Sequence, residues 1–155
     1  MKFQITSIAL FIFINGGCKK EKEQVTPAPV ECSSILPNKL SAKIGTQSWC
    51  ADQTCFGDLA IIMTINGLNG NASSLTLELD DLTPGTYAIN LDRNHIVYTG
   101  FDGYESNDDN PGTLVIQSND TSTNLIKGTF NVSLRSPISG NLSVSDGKFS
   151  VYYTE

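Results

Sequence analysis

The chain has 155 residues, 10 basic and 16 acidic, with a net charge of −6. From Leu40 onward Lys43, Arg93, Lys127, Arg135 and Lys148 stand against thirteen acids, a net charge near −8. Such a surface repels nucleic-acid phosphates and anionic lipid, and no basic patch with interleaved aromatics offsets it, which argues against a nucleic-acid partner.

Lys2 supplies a positive start, Ile5 to Ile14 is almost uninterruptedly apolar, and Gly16-Gly17 precede Cys18. This is the order of a charged region, a short hydrophobic region and a small-residue cleavage site. The apolar run is about half of the roughly 20 residues needed to cross a bilayer core, so a permanent transmembrane helix is not expected. The small-small-Cys sequence resembles the bacterial lipobox, although Asn15 stands where an aliphatic residue is usual. That resemblance implies a signal peptide over 1–17 and lipidation of Cys18, hence a membrane partner and a cell-envelope location, as an outer-membrane lipoprotein on the surface or periplasmic face. Removing 1–17 leaves 138 residues, enough for one domain and a tether.

Residues 18–38 read as the lipidated cysteine and that tether. Lys19-Lys20-Glu21-Lys22-Glu23 is followed by Pro27, Pro29 and Pro37 with no hydrophobic period, and charge with proline favours an extended chain. Twenty such residues reach at most about 70 Å. The mixed charged run after Cys18 resembles the surface-export signals of Bacteroidetes lipoproteins. With Cys18 lipidated, Cys32, Cys50 and Cys55 remain, and an oxidising compartment lets one pair bridge and leaves one thiol over. All three pairings stay open; Cys50 with Cys55 would close a short loop, worth roughly 2 kcal/mol. A zinc site is disfavoured, because the single histidine, His95, lies far from the cysteines and about four ligands are needed.

Residues 39–155 read as an all-β domain of period two, with no convincing helical stripe. Ala42 to Trp49 suggests a hairpin with a Gly45-Thr46 loop, placing Trp49 opposite Ala42 in the core and Cys50 outside. Leu59 to Ile65 reads as one strand covered on both faces. Asn66-Gly67 and Asn69-Gly70 read as turns, and Leu75, Leu77 and Leu79 as the buried side of a half-exposed strand. Strands follow at Thr86 to Leu91, His95 to Gly100, Thr113 to Ser118 and Asn124 to Leu134. In the last, Ile126, Phe130, Val132 and Leu134 face inward. Ser145-Asp146-Gly147-Lys148 is the strongest hairpin signal, pairing Val144 with Phe149 and setting Gly140 opposite Tyr153. About nine or ten short strands give an antiparallel β-sandwich, with an up-and-down β-barrel as the alternative.

Ser41-Ala42-Lys43-Ile44-Gly45, Trp49-Cys50-Ala51, Gly85-Thr86-Tyr87, Gly112-Thr113-Leu114-Val115-Ile116, Gly128-Thr129-Phe130 and Gly147-Lys148-Phe149-Ser150-Val151 occur in that order. The series resembles a group of small, uncharacterised Bacteroidetes lipoproteins that carry a domain of unknown function. The resemblance covers nearly all of residues 40–153 through turn and core positions, and it implies a fold but no catalytic residues.

Chemistry is densest at Tyr98 to Asn110, where Tyr98, Phe101 and Tyr104 are interleaved with Asp102, Glu105, Asp108 and Asp109. These residues suit an acidic surface loop, a calcium site built from hard oxygen ligands, or a glycan platform of aromatic faces and polar groups. The calcium reading matches no EF-hand spacing. Asp102 with Glu105 or Asp109 would serve glycoside hydrolysis only if held roughly 5–9 Å apart across a cleft. No nucleophile elbow accompanies His95, which reads as a sheet-face residue, and no catalytic residue is assigned. The expectation is a non-catalytic, lipid-anchored binding or adhesion module, with a glycan or an envelope protein as its partner and no cofactor except possible calcium. An apolar cavity inside a barrel is a further reading.

Overall fold

A computed structural model describes residues 33–155; the expected signal peptide, Cys18 and most of the tether lie outside the described residues. The described chain is all-β. Its strands are β1 (Lys39–Ile44), β2 (Gln47–Cys50), β3 (Thr54–Leu59), β4 (Met63–Asn69), β5 (Ser73–Leu79), β6 (Gly85–Ile89), β7 (Ile96–Thr99), β8 (Gly103–Glu105), β9 (Gly112–Asp120), β10 (Leu125–Ser136) and β11 (Gly140–Thr154).

Hydrogen bonds join all eleven into one mixed sheet, in the order β2-β1-β11-β3-β4-β5-β7-β8-β10-β9-β6, with β10 also pairing β11. The pairing divides into two layers. One is β2-β1-β11-β10-β9-β6 and the other is β3-β4-β5-β7-β8. Only two corners join them: the parallel pairs Tyr153↔Gly57 and Thr154↔Asp58, and the antiparallel pair Arg135↔Glu105. β1, β2, β6 and β9 lie outside the ring that these corners close, so this is not a clean barrel.

The layers face each other over Leu40, Trp49, Ile65, Leu75, Leu77, Phe130 and Val151, all buried. Their approach is close enough that a Cβ at Gly67 would lie 2.8 Å from Ala51 Cβ and 2.9 Å from Leu40 Cδ2. That explains why Asn66-Gly67, expected to turn, runs straight through β4. Glycine inside a strand marks close backbone approach as readily as it marks a bend.

The Ala42–Trp49 hairpin forms in the expected register, with Ile44 opposite Gln47 across the Gly45-Thr46 loop. The alternation of β5 and β10 also stands, with Leu75, Leu77, Leu79, Ile126, Phe130, Val132 and Leu134 inside. Leu59 to Ile65 does not form one strand. It is the tip joining β3 to β4, with Leu59 opposite Met63 and Ile61 almost fully exposed. A short apolar run has no period that separates a buried strand from a hairpin tip.

The hairpin expected at Ser145–Lys148 is also absent. β11 continues through it as one 15-residue strand. The register on β10 jumps from Phe130↔Gly147 to Val132↔Val144, so Asp146-Gly147 forms a β-bulge with Asp146 at φ 52°. Asp146 N–H donates to Asn131 Oδ1 (2.9 Å), and its carboxylate pairs with Lys43 Nζ (2.8 Å). Gly147 lies against Phe130, where a Cβ would come within 2.5 Å of the ring. Phe149 therefore pairs with Gly128, and Gly140 faces Ser136 across the true turn at 137–139.

The Cys50–Cys55 bridge does not form. Cys50 is disulfide-bonded, while Cys55 is a free thiol on β3. Cys50 pairs with Ser41 on β1 and Cys55 with Gly67 on β4, so the two sit in different layers.

Candidate functional site

The corner where β8 meets β10 is the place to look for binding, because the ladder nearly fails there. β8 is three residues long and holds β10 through the single pair Glu105↔Arg135. The backbone gap leaves two shallow clefts that share Glu105, Arg135 and Pro137. One, about 270 Å³, is walled by Leu91, Ser106, Asn107 and Asp108. The other, about 210 Å³, is walled by Val97, Gly103 and Tyr104.

Two buried polar residues set this corner. Ser106 is fully buried; its N–H donates to Ile96 O (2.9 Å) and its Oγ donates to Asn90 O (2.8 Å). The same Oγ accepts from Ile96 N–H (3.1 Å). Asn94, at φ 49°, donates from Nδ2 to Ala88 O (2.9 Å) and accepts at Oδ1 from Asp80 N–H (3.2 Å). Together they fasten the 90–95 connection to the ends of β5, β6 and β8. Asn107 continues the support, donating from Nδ2 to Ser133 O (3.1 Å) and accepting at Oδ1 from Asn110 N–H (3.0 Å).

The charged groups are held by different partners. Arg135 Nη1 lies 2.8 Å from Asp109 Oδ2. Asp108 Oδ1 accepts from Leu91 N–H (3.2 Å). Glu105 Oε2 lies 3.8 Å from His95 Nε2, and the other imidazole nitrogen is 3.5 Å from Glu78 Oε2. His95 thus sits on the outer sheet face between two carboxylates, its Nε2 buried without a hydrogen-bond partner among the described residues.

The residues singled out at 98–110 therefore do not form one cluster. Tyr98 and Tyr104 are paired on the β7–β8 hairpin with ring centroids 6.4 Å apart. Phe101 stands fully exposed at its tip, and Asp102 beside it accepts a hydrogen bond from Ser139 Oγ on the β10–β11 turn. Tyr104 and Glu105 line the clefts, with Asp108 on one wall and Asp109 holding Arg135. Among the described residues no three His, Cys, Asp or Glu side chains converge to hold a metal ion. Trp49 is a core residue, and no helix of the described chain is long and apolar enough to cross a membrane.

Arg135, Pro137, Leu91 and Val97 are the contributors that sequence reasoning missed. Arg135 and Pro137 join the site through the long-range Glu105–Arg135 pair, whereas Val97 lies opposite Glu105 across the β7–β8 hairpin and the Leu91 N–H is held by Asp108. The available signal was Arg135 at an outward position of β10, two residues before Pro137.

The match to known families covers the same architecture. The model of a domain of unknown function, DUF6252, matches residues 38–151. The chain belongs to that family. No curated protein and no solved structure matches it. The match on DUF6252 begins one residue before β1 and ends within β11, so it spans both layers and every residue of the Arg135 corner.

Proposed function

We propose that this DUF6252 protein is a non-catalytic, lipid-anchored module of the cell envelope that binds a glycan at the Arg135 corner. The observation that carries the reading is the pair of clefts that share Arg135, whose guanidinium lies 2.8 Å from Asp109. Tyr104, Val97, Leu91 and Pro137 offer faces for a sugar ring, while the guanidinium and carboxylates offer donors and acceptors to hydroxyls, the composition expected of a small-ligand site. The carboxylates are engaged with Arg135, His95, Ser139 and backbone, which suits fixed recognition better than proton transfer.

Position supports the same reading. β1 starts level with Lys127 on β10 through their shared neighbour Ser150, whereas Arg135 lies near the other end of the 12-residue β10. A tether over 18–38 would therefore hold the domain at one end and present the clefts roughly 25 Å away, at ~3.4 Å per residue.

The test is an oligosaccharide panel titrated against the wild-type chain, Tyr104→Ala and Arg135→Ala. Binding that weakens about 10- to 100-fold in Arg135→Ala, the worth of a charged hydrogen bond, is the expected result. A panel with no binder, or a binder indifferent to both substitutions, would refute the glycan reading. The anchor is tested separately: palmitate label should enter the wild type and be absent from Cys18→Ala.

A further inference from the structure

The net charge of the domain hides a segregation. Residues 33–155 contain six basic side chains, and four of them, Lys39, Lys43, Lys127 and Lys148, point outward from one layer, on β1, β10 and β11. The ladder fixes their arrangement. Lys39 and Lys127 both pair with Ser150, one from each side, so they flank it. Lys148 is two residues along the same strand and hence on the same face, between Ser41 and Thr129. Paired side chains lie ~5 Å apart at their Cβ atoms and diagonal ones ~7–8 Å, so the three lysine stems leave the sheet around Ser150. Tyr152, the next outward residue on β11, is half exposed at its margin.

Acids offset this cationic patch only in part: Asp146 pairs with Lys43 at 2.8 Å and also feels the Lys148 charge, and Asp120 accepts from Ser122 N–H (2.9 Å) and Oγ (2.6 Å) within its own turn. No ion pair joins Lys39, Lys127 or Lys148 to an acid among the described residues. Lys39 Nζ donates to Ser34 O, which leaves its charge uncompensated. The outer face of the other layer has the opposite character, with Asp58, Glu78 and Glu105 on its strands.

We propose that this face docks on an anionic lipid surface, the one in which the anchor sits. The inference rests on the reading of Cys18 as lipidated. Charge complementarity supports it, because each lysine near an anionic leaflet adds attraction that salt screens. Placement supports it too. β1 begins at Lys39, and Tyr152 N–H donates to Asn38 Oδ1 (2.8 Å), so the tether joins the fold in the row that carries the lysines. A half-exposed tyrosine beside lysines is the side-chain pairing that favours a headgroup region. The anchor supplies the affinity, and the lysines choose which face meets the membrane.

The experiment is vesicle co-flotation of the chain from residue 19 onward, which lacks the anchor and contains every described strand. The wild type is expected to float with phosphatidylcholine:phosphatidylglycerol vesicles (about 3:1) at low salt and to be released as salt rises. It should ignore pure phosphatidylcholine. Reversing two lysines, in Lys127→Glu/Lys148→Glu, should weaken partition at least about 20-fold, from the worth of a lysine at an anionic surface. Arg93→Glu, on the exposed connection between β6 and β7, should partition as wild type. No flotation of the wild type, equal flotation of the double variant, or binding to soluble dextran sulfate in place of vesicles would each overturn the proposal. Flotation that survives alongside a failed Cys18 labelling experiment would uphold the docking face and remove the anchor.

Discussion

The indole N–H of Trp49 donates to Ser73 Oγ at 2.8 Å, joining the two layers through a hydrogen bond between side chains that are each 6% exposed. Trp49 enters the core opposite Ala42 on β1, and Ser73 opens β5 on the other layer. The bond satisfies the one polar atom that a buried tryptophan brings with it. Ser73→Ala strands that N–H and is expected to cost about 1–3 kcal/mol in urea unfolding. In Trp49→Phe the donor is gone, so adding Ser73→Ala should then cost less; equal costs in both backgrounds would show that the bond contributes nothing.

Burial, opposed by the nearby Lys39 charge, pushes the Cys55 thiol up from 9.0 to about 11. The thiolate is the nucleophile, so alkylation at pH 8 should be about two orders of magnitude slower in the folded chain than in urea. Because the folded thiol keeps its proton to higher pH than the unfolded one, stability is unaffected below about pH 9. It falls as pH rises from about 9 to 11. Cys55→Ala should remove that alkaline loss. Similar labelling rates with and without urea would contradict the assignment.

Asp81, Asp120 and Asp146 are each held below the usual carboxylate value of 3.8. The main causes are the Thr83 backbone N–H, the Ser122 side chain and the Lys43 side chain respectively. A depressed folded value means that their contribution is present above the unfolded pKa and disappears as pH falls through the folded ones. Unfolding midpoints measured down to pH 2 should therefore decline below about pH 4. Lys43→Met should differ from wild type near neutrality and converge with it in acid. A gap that persists at pH 2 would assign the Lys43 effect to packing.

Ala72 closes the turn between β4 and β5 with φ at 58°. A Cβ in the left-handed region costs about 1–2 kcal/mol, part of which glycine gives back through its freer unfolded chain. Ala72→Gly is thus expected to stabilise by about 0.5–1 kcal/mol, seen as a rise of a few degrees in Tm. A fall in Tm would mean that the methyl group makes a contact outweighing the strain.

The fold was legible where a local signal and the strand period agreed. Gly45-Thr46 between two alternating segments specified both the turn and the Ala42–Trp49 register. Asp146-Gly147 gave an equally clear local signal and formed a bulge, because a positive φ before glycine serves either structure. The choice is made by partners far away in sequence, Asn131 and Phe130 on one side and Lys43 on the other. The candidate site divides in the same way. Tyr104, Glu105, Asp108 and Asp109 stood out by composition, but Arg135 reaches them through one backbone pair that no periodicity reveals. Ser106 and Asn94, which fix the geometry, read as ordinary loop residues until their burial is seen.

The strand nearest the C-terminus, β11, pairs with three others, β1, β3 and β10. An emerging polypeptide can zip β4 to β5 early, yet the other layer stays split between β1 and β10 until residues 140–154 arrive. Long-range pairing of this kind is slow to form. Clipping residues 140–154 would remove the keystone rather than trim a border.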